Sequence, residues 1–144
     1  MSIALFIAAM VVQDLNVSGG VQVSNVAQIG LATRHARCIV RRVGIAPEED
    51  AARDAAIRTA VTDCRAYVES DHDAGRVKVG DRVVSAGWWK RMQRVFDAVE
   101  SDVSNAIVSP KQYKVIWQLP DGGRVDVYNA PGPLTSVNLL VVPL

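Results

Sequence analysis

Residues 16–43 read NVSGGVQVSNVAQIGLATRHARCIVRRV, and the reading of this stretch decides the fold. Gly19-Gly20 can take the positive φ angles of a tight hairpin, and β-branched residues are prominent on both sides of it. That pattern predicts two long antiparallel strands, over 3–17 and 21–33. RHARCIVRRVGIA (34–46) then reads as a third strand, or as a bulged continuation of the second. On a strand, Cys38 and Val40 share one face while Arg37, Ile39 and Arg41 share the other.

Upstream of the glycines, MSIALFIAAMVVQDL holds ten consecutive apolar residues, Ile3 to Val12, with no charge before Asp14. A secretion signal calls for a basic leading region, and only Met1 and Ser2 precede the run. A membrane helix needs about 20 apolar residues, so this segment is too short to span a bilayer. The expectation is a soluble protein without an anchor, whose first strand is apolar on both faces and needs cover on both sides.

Downstream, APEEDAARDAAIRTAVTDCRAYVES (46–70) is the strongest helical pattern. Pro47 suits a first turn, and Glu48, Glu49 and Asp50 favour the positive end of a helix over 47–70. Ile57, Val61, Cys64 and Val68 form its apolar stripe, flanked by alanines, and SDHDAG ends it. A short strand and turn follow in GRVKVGDRVV (75–84). A second helix spans 85–107 with Ser85 as N-cap and a stripe of Trp88, Met92, Val95, Val99 and Val103, widened by Trp89 and Phe96.

The C-terminal third, 113–142, is a hairpin and a final strand. A three-residue Asp121-Gly122-Gly123 loop pairs Leu119 with Val125 and Trp117 with Val127, with Gly123 as the left-handed residue. It gathers Tyr113, Val115, Trp117, Leu119, Val125 and Val127 on one apolar face, and a one-residue slip would exchange the faces. The expected fold is therefore a single α+β domain of 144 residues, mainly antiparallel β-sheet with two amphipathic helices packed on it.

Composition narrows the function. The net charge of +1 gives no global field toward nucleic acid or acidic lipid, and 49% apolar residues exclude wholesale disorder. Charge is nevertheless segmented. Four arginines and no acid lie in 34–42, eight acids against three arginines in 47–73, and six bases against one acid in 76–94. Neighbouring segments that fold against one another would neutralise; complementary charge between copies of the chain is the sharper alternative.

Candidate chemistry is sparse. Cys38 and Cys64 lack zinc-type spacing, and two buried thiols are expected over one bridge. His35 near Cys38 could form a nucleophile and base, but positions three apart on a strand face opposite ways. DHD at 71–73 has metal-binding residue types but reads as a solvated loop at a helix end. Arg34, Arg37, Arg41 and Arg42 could grip phosphates, and Trp88, Trp89, Lys90, Arg91 and Arg94 combine stacking groups with cations. No glycine pair has the spacing of a phosphate loop. No catalytic, metal or cofactor residue is assigned.

The ends carry the functional expectation. Residues 2–13 and 127–144 contain no charged side chain. Such ends must pack into the sheet or against another molecule, and obligate interfaces resemble a core cut in half. The expected interface is Ile3, Leu5, Phe6, Ile7, Met10 and Val12 with Leu139, Leu140, Val141 and Val142, and Arg34, Arg37, Arg41 and Arg42 as electrostatic contacts. The expected function is a non-enzymatic protein acting by self-assembly. Its most concrete form is a virus or phage particle component (capsid, cement, connector or tail), intracellular during assembly and then in the virion. Its partners would be other copies and further proteins of the same particle. The alternatives are a small oligomeric enzyme or ligand-binding protein whose inter-subunit site uses Cys38, His35 or His72, and a nucleic-acid-binding module built on the four arginines.

Overall fold

The computed structural model describes residues 21–23, 25–127 and 137–144. Strand β1 (Val21–Val23) leads into helix α1 (Val26–Val43), and α2 (Asp50–Asp73) follows. A small hairpin of β2 (Lys78–Val79) and β3 (Arg82–Val83) joins α2 to α3 (Ala86–Ala106). Strands β4 (Tyr113–Gln118), β5 (Arg124–Asp126) and β6 (Val137–Pro143) complete the chain. The main sheet has the order β1-β6-β4-β5, and every pairing in it is antiparallel.

The fold class is α+β, but helices of 18, 24 and 21 residues dominate it, where the sequence suggests mainly sheet. The difference lies in α1. Among the described residues of the expected strand 21–33, only Val21–Val23 is extended, and the expected third strand is helical through Val43. The first expected strand, its Gly19-Gly20 turn and the interface residues Ile3, Leu5, Phe6, Ile7, Met10 and Val12 lie outside the described residues.

Physical signals for α1 are present at its ends. The Asn25 side chain accepts from Ala27 N at 3.0 Å and Gln28 N at 3.1 Å, satisfying two amides that lack partners in the first turn. Gly44 closes the other end at φ 62°, its N–H reaching Val40 O. Between them Ile29, Ala32, Ala36, Ile39 and Val43 recur at helical spacing and are buried. Two of those five are alanines, so the stripe looks weak by residue type although it packs tightly.

The other two helices shift less. α2 begins after the N-cap Glu49 and runs through His72 and Asp73, so the DHD triplet is its last turn and not a loop. Its buried residues are Ile57, Ala60, Cys64 and Val68, with Val61 half-buried beside them. Ser85 caps α3 by accepting from Trp88 N at 3.1 Å. The buried stripe of α3 is Trp89, Met92, Phe96, Val99 and Val103, with Trp88 and Val95 on its flank.

Layering follows from these faces. α1 and α3 lie on the sheet, and α2 packs on α1 and α3. From the sheet side the core receives Val23, Tyr113, Val115, Trp117, Leu139 and Val141. The helix over 50–73 is thus a third layer, where the sequence places it on the sheet.

The β4–β5 hairpin keeps the expected faces but shifts its register by two, pairing Trp117 with Val125 and Ile116 with Asp126. The three-residue loop is Pro120-Asp121-Gly122, one residue earlier than expected. Gly122 N–H bonds Leu119 O at 2.9 Å, and Leu119 N–H bonds Gly123 O at 2.7 Å. Gly122, not Gly123, holds the left-handed position at φ 91°. Proline explains the shift. Its fixed φ suits the first corner of a type I turn, and it has no N–H to give a ladder. Asp121 Oδ1 then accepts from Gly123 N at 2.9 Å and fastens the corner.

Cys38 and Cys64 are joined as a disulfide between α1 and α2, where two free thiols were expected. As a helix, α1 turns Cys38 toward α2, and the bridge that the sequence left as the lesser alternative forms. The bridge closes a span of 26 residues, and the loop-entropy model assigns such a bridge about 3.5 kcal/mol. Reduction, or the double variant C38S/C64S, should lower unfolding stability by that amount in a urea titration. An unchanged urea midpoint would show that the bridge contributes nothing.

Candidate functional site

The most polar part of the interior is where all three helices meet. His35 on α1 has a fully buried side chain, and its Nε2 lies 2.8 Å from Glu100 Oε2 on α3. Arg65 on α2 donates through Nη1 to the same oxygen at 2.6 Å and through Nη2 to Asp97 Oδ1 at 3.1 Å. Glu69 Oε2 sits 3.5 Å from Arg65 Nε and accepts from Gln93 Nε2 at 3.3 Å. Phe96 fills the space between, its ring 4.7 Å from the His35 ring and 5.4 Å from the Arg65 guanidinium. With Glu100 ionised and accepting, His35 Nε2 is the protonated nitrogen; Nδ1 is buried without a protein partner.

Electrostatics hold this knot in one state. Burial alone would raise the Glu100 carboxyl, but hydrogen bonds from His35 and Arg65, together with their charge, hold it below its usual 4.5. Burial would lower Arg65, but Glu100 and Asp97 outweigh it and raise the guanidinium above its ordinary value.

Glu100 also borders a cleft of about 430 Å³ between α2 and α3. Ile57 and Val61 give it an apolar floor, while Asp54, Arg58, Ser101, Ser104 and Asn105 supply polar walls. Ser104 Oγ donates to Glu100 O at 2.7 Å, a bond within α3 that occupies the hydroxyl. The cleft therefore offers binding groups, and its Glu100 carboxylate is already committed to structure.

The sequence-derived candidates separate. Cys38 is consumed by the disulfide, so it is no thiol nucleophile for His35 or His72. His72 instead stacks on Trp89, the rings 4.1 Å apart and 3° from parallel. Among the described residues, no group of three His, Cys, Asp or Glu side chains is placed to hold a metal ion. Likewise no described helix is long and apolar enough to cross a membrane.

The four arginines are also divided by the helix. Arg42 reaches α2, donating to Asp63 Oδ2 at 3.1 Å and to Tyr67 Oη at 2.8 Å. This is charge neutralisation between the basic and acidic segments. Arg34, Arg37 and Arg41 fall at i, i+3 and i+7, one side of α1.

Among the expected C-terminal interface residues, Leu139 and Val141 face the helices and belong to the internal core, which removes them from any surface shared with another copy. Leu140 and Val142 point to the opposite side, where Leu140 lies across from Ile116 and Val142 from Lys114. Ile116 and Leu140 are 5% and 4% exposed although they take no part in the helix-side core. The sheet is therefore apolar on both faces at its centre. The run Leu139-Leu140-Val141-Val142 carried that signal, since consecutive apolar residues on a strand load both sides.

Compared with protein-family models, with curated proteins and with solved structures, the chain has no match.

Removing the shared acceptor should expose the knot's cost. Glu100→Gln removes the charged acceptor that His35 and Arg65 share and leaves Arg65 only Asp97 and Glu69, so stability at neutral pH should fall by about 2 kcal/mol. A depressed carboxyl pKa stabilises the fold above the unfolded value and loses that contribution as pH falls through the folded one. The gap between wild type and E100Q should therefore close in acid, below 4.5. Denaturant titrations across that range measure it, and a pH-independent gap would contradict the ion-pair account.

Proposed function

We propose that this protein is a non-enzymatic structural component that works by self-assembly, most concretely a part of a virus or phage particle such as a capsid, cement, connector or tail protein. The observation that supports this reading most is the second apolar face of the sheet. α1 and α3 occupy one face, yet β6 sends Leu140 toward the other, where it is buried opposite Ile116. Val142 is half-buried at the margin of this patch, beside exposed Lys114. Ile116 and Leu140 are already covered within the single chain, so a neighbouring copy would meet the margin of this face, half-buried Val142 and exposed Leu144, and extend the layer there.

The disulfide fits the same role. A bridge between α1 and α2 stabilises a small domain that must persist outside a reducing cytosol, as particle proteins do. Other copies, and further proteins of the same particle, are the partners this reading implies.

Light scattering coupled to size exclusion tests it directly. The expected result is a defined oligomer or larger assembly, and a stable monomer across the accessible concentration range would overturn the proposal. Val142→Asp places a charge at the patch margin without touching the helix-side core. It should raise the dissociation concentration about tenfold, the equivalent of one lost interface contact, while the far-ultraviolet circular dichroism stays unchanged.

A further inference from the structure

A groove of about 410 Å³ lies between the first half of α1 and the segment that follows α2. Its lining is Ala27, Gly30, Leu31 and Arg34 from α1, with Arg76, Val77 and Lys78 from the other side. Three of the seven are cations, none is a carboxylate, and none is aromatic. Arg34, Arg76 and Lys78 are all exposed. They come from parts of the chain more than forty residues apart, so only folding brings them together.

We propose that this groove binds the phosphodiester backbone of a nucleic acid. Four features support that ligand over a generic surface charge. First, the groove is adjacent to the start of α1, whose first turn contains no acidic residue, so the positive end of the helix dipole is unopposed there. Second, Arg76 is pre-positioned, with Asp71 Oδ1 accepting from its Nε at 3.0 Å and lying 2.9 Å from its Nη2. A guanidinium held this way presents its remaining N–H groups in a fixed direction.

Third, the three cations stand on both walls of the groove, Arg34 on α1 and Arg76 and Lys78 on the facing segment, an arrangement that suits an extended polyanion better than a single small anion. Arg37 and Arg41 border a separate cavity with Asp126 and are not counted among its contacts. Fourth, the small Ala27 and Gly30 keep the floor low, and a Cβ added at Gly30 meets no atom within 4 Å. Without an aromatic in the lining to stack on a base, the contact is to the backbone and carries no sequence preference. This site is independent of the assembly surface on the far face of the sheet.

Fluorescence anisotropy of a labelled DNA oligonucleotide, single-stranded and duplex, titrated with the full chain tests the groove. Affinity should fall with salt, with a log–log slope near −2.7 on the duplex, roughly 0.9 for each of three phosphate contacts. Arg34→Glu with Lys78→Glu should weaken binding at least about tenfold and bring the slope to about −1, since one cation of the three remains. R34Q/K78Q should give a smaller loss in the same direction and guards against misfolding of the charge reversal. Lys90→Glu with Arg94→Glu changes net charge equally on α3 and should leave binding within about twofold of wild type. Four results would overturn the proposal: no binding at low salt, binding without salt dependence, an equal loss in the α3 control, or binding to phosphatidylserine vesicles but not to the oligonucleotide. Light scattering on the same variants keeps the two proposals apart, because loss of nucleic-acid binding with assembly intact reports on the groove alone.

Discussion

One carboxylate oxygen organises the helical layers. Glu100 Oε2 takes His35 at 2.8 Å and Arg65 at 2.6 Å, so a single acceptor on α3 engages donors from α1 and α2. Because His35 is fully buried, this bond has one geometry. The disulfide acts at the same level, since Cys38 is one turn beyond His35 and Cys64 adjoins Arg65. A polar fastening and a covalent one thus fix the rotation of α1 and α2 about their axes. Isolated surface ion pairs are worth little, but a shared, desolvated acceptor is costly to lose.

That fixed rotation decides what the rest of α1 presents. With His35 turned inward and Cys38 toward α2, Arg42 reaches Asp63 and Tyr67. Arg34 is turned to the groove that Arg76 and Lys78 complete. The same rotation buries Ala32, Ala36 and Ile39 completely in the core. A buried structural interaction therefore positions a surface feature, and the two proposed activities occupy separate parts of the molecule. Nucleic-acid phosphate would meet α1 and the segment after α2, while further copies would meet the sheet's other face.

Legibility varied by element for identifiable reasons. α3 was readable because Ser85 is a good cap and its large apolar residues repeat at helical spacing. Even so, Trp89 and Phe96 turned out central and Trp88 and Val95 marginal, a rotation that only packing selects. The hairpin's inward face was readable from alternation, whereas its exact pairing depended on where Pro120 could sit. α1 misled because valine and isoleucine favour strands while its helical stripe relied on alanine. Its end signals, Asn25 and Gly44, were local and physical, and they outweighed β propensity once tertiary burial was available.

By itself the sequence determined the α+β class, the positions of α2 and α3, the apolar character of both faces of β6, and the basic run on what became α1. Each of these depends on local periodicity, on residue type or on a turn residue, and such information is carried within a few positions. Only the tertiary structure decided that α1 is helical, that Cys38 bonds Cys64, that Glu100 gathers His35 and Arg65, and that Arg34 shares a groove with Arg76 and Lys78. Those outcomes join residues between 26 and 65 positions apart. Such contacts depend on how helices rotate and layer against one another, a quantity that no window along the chain contains.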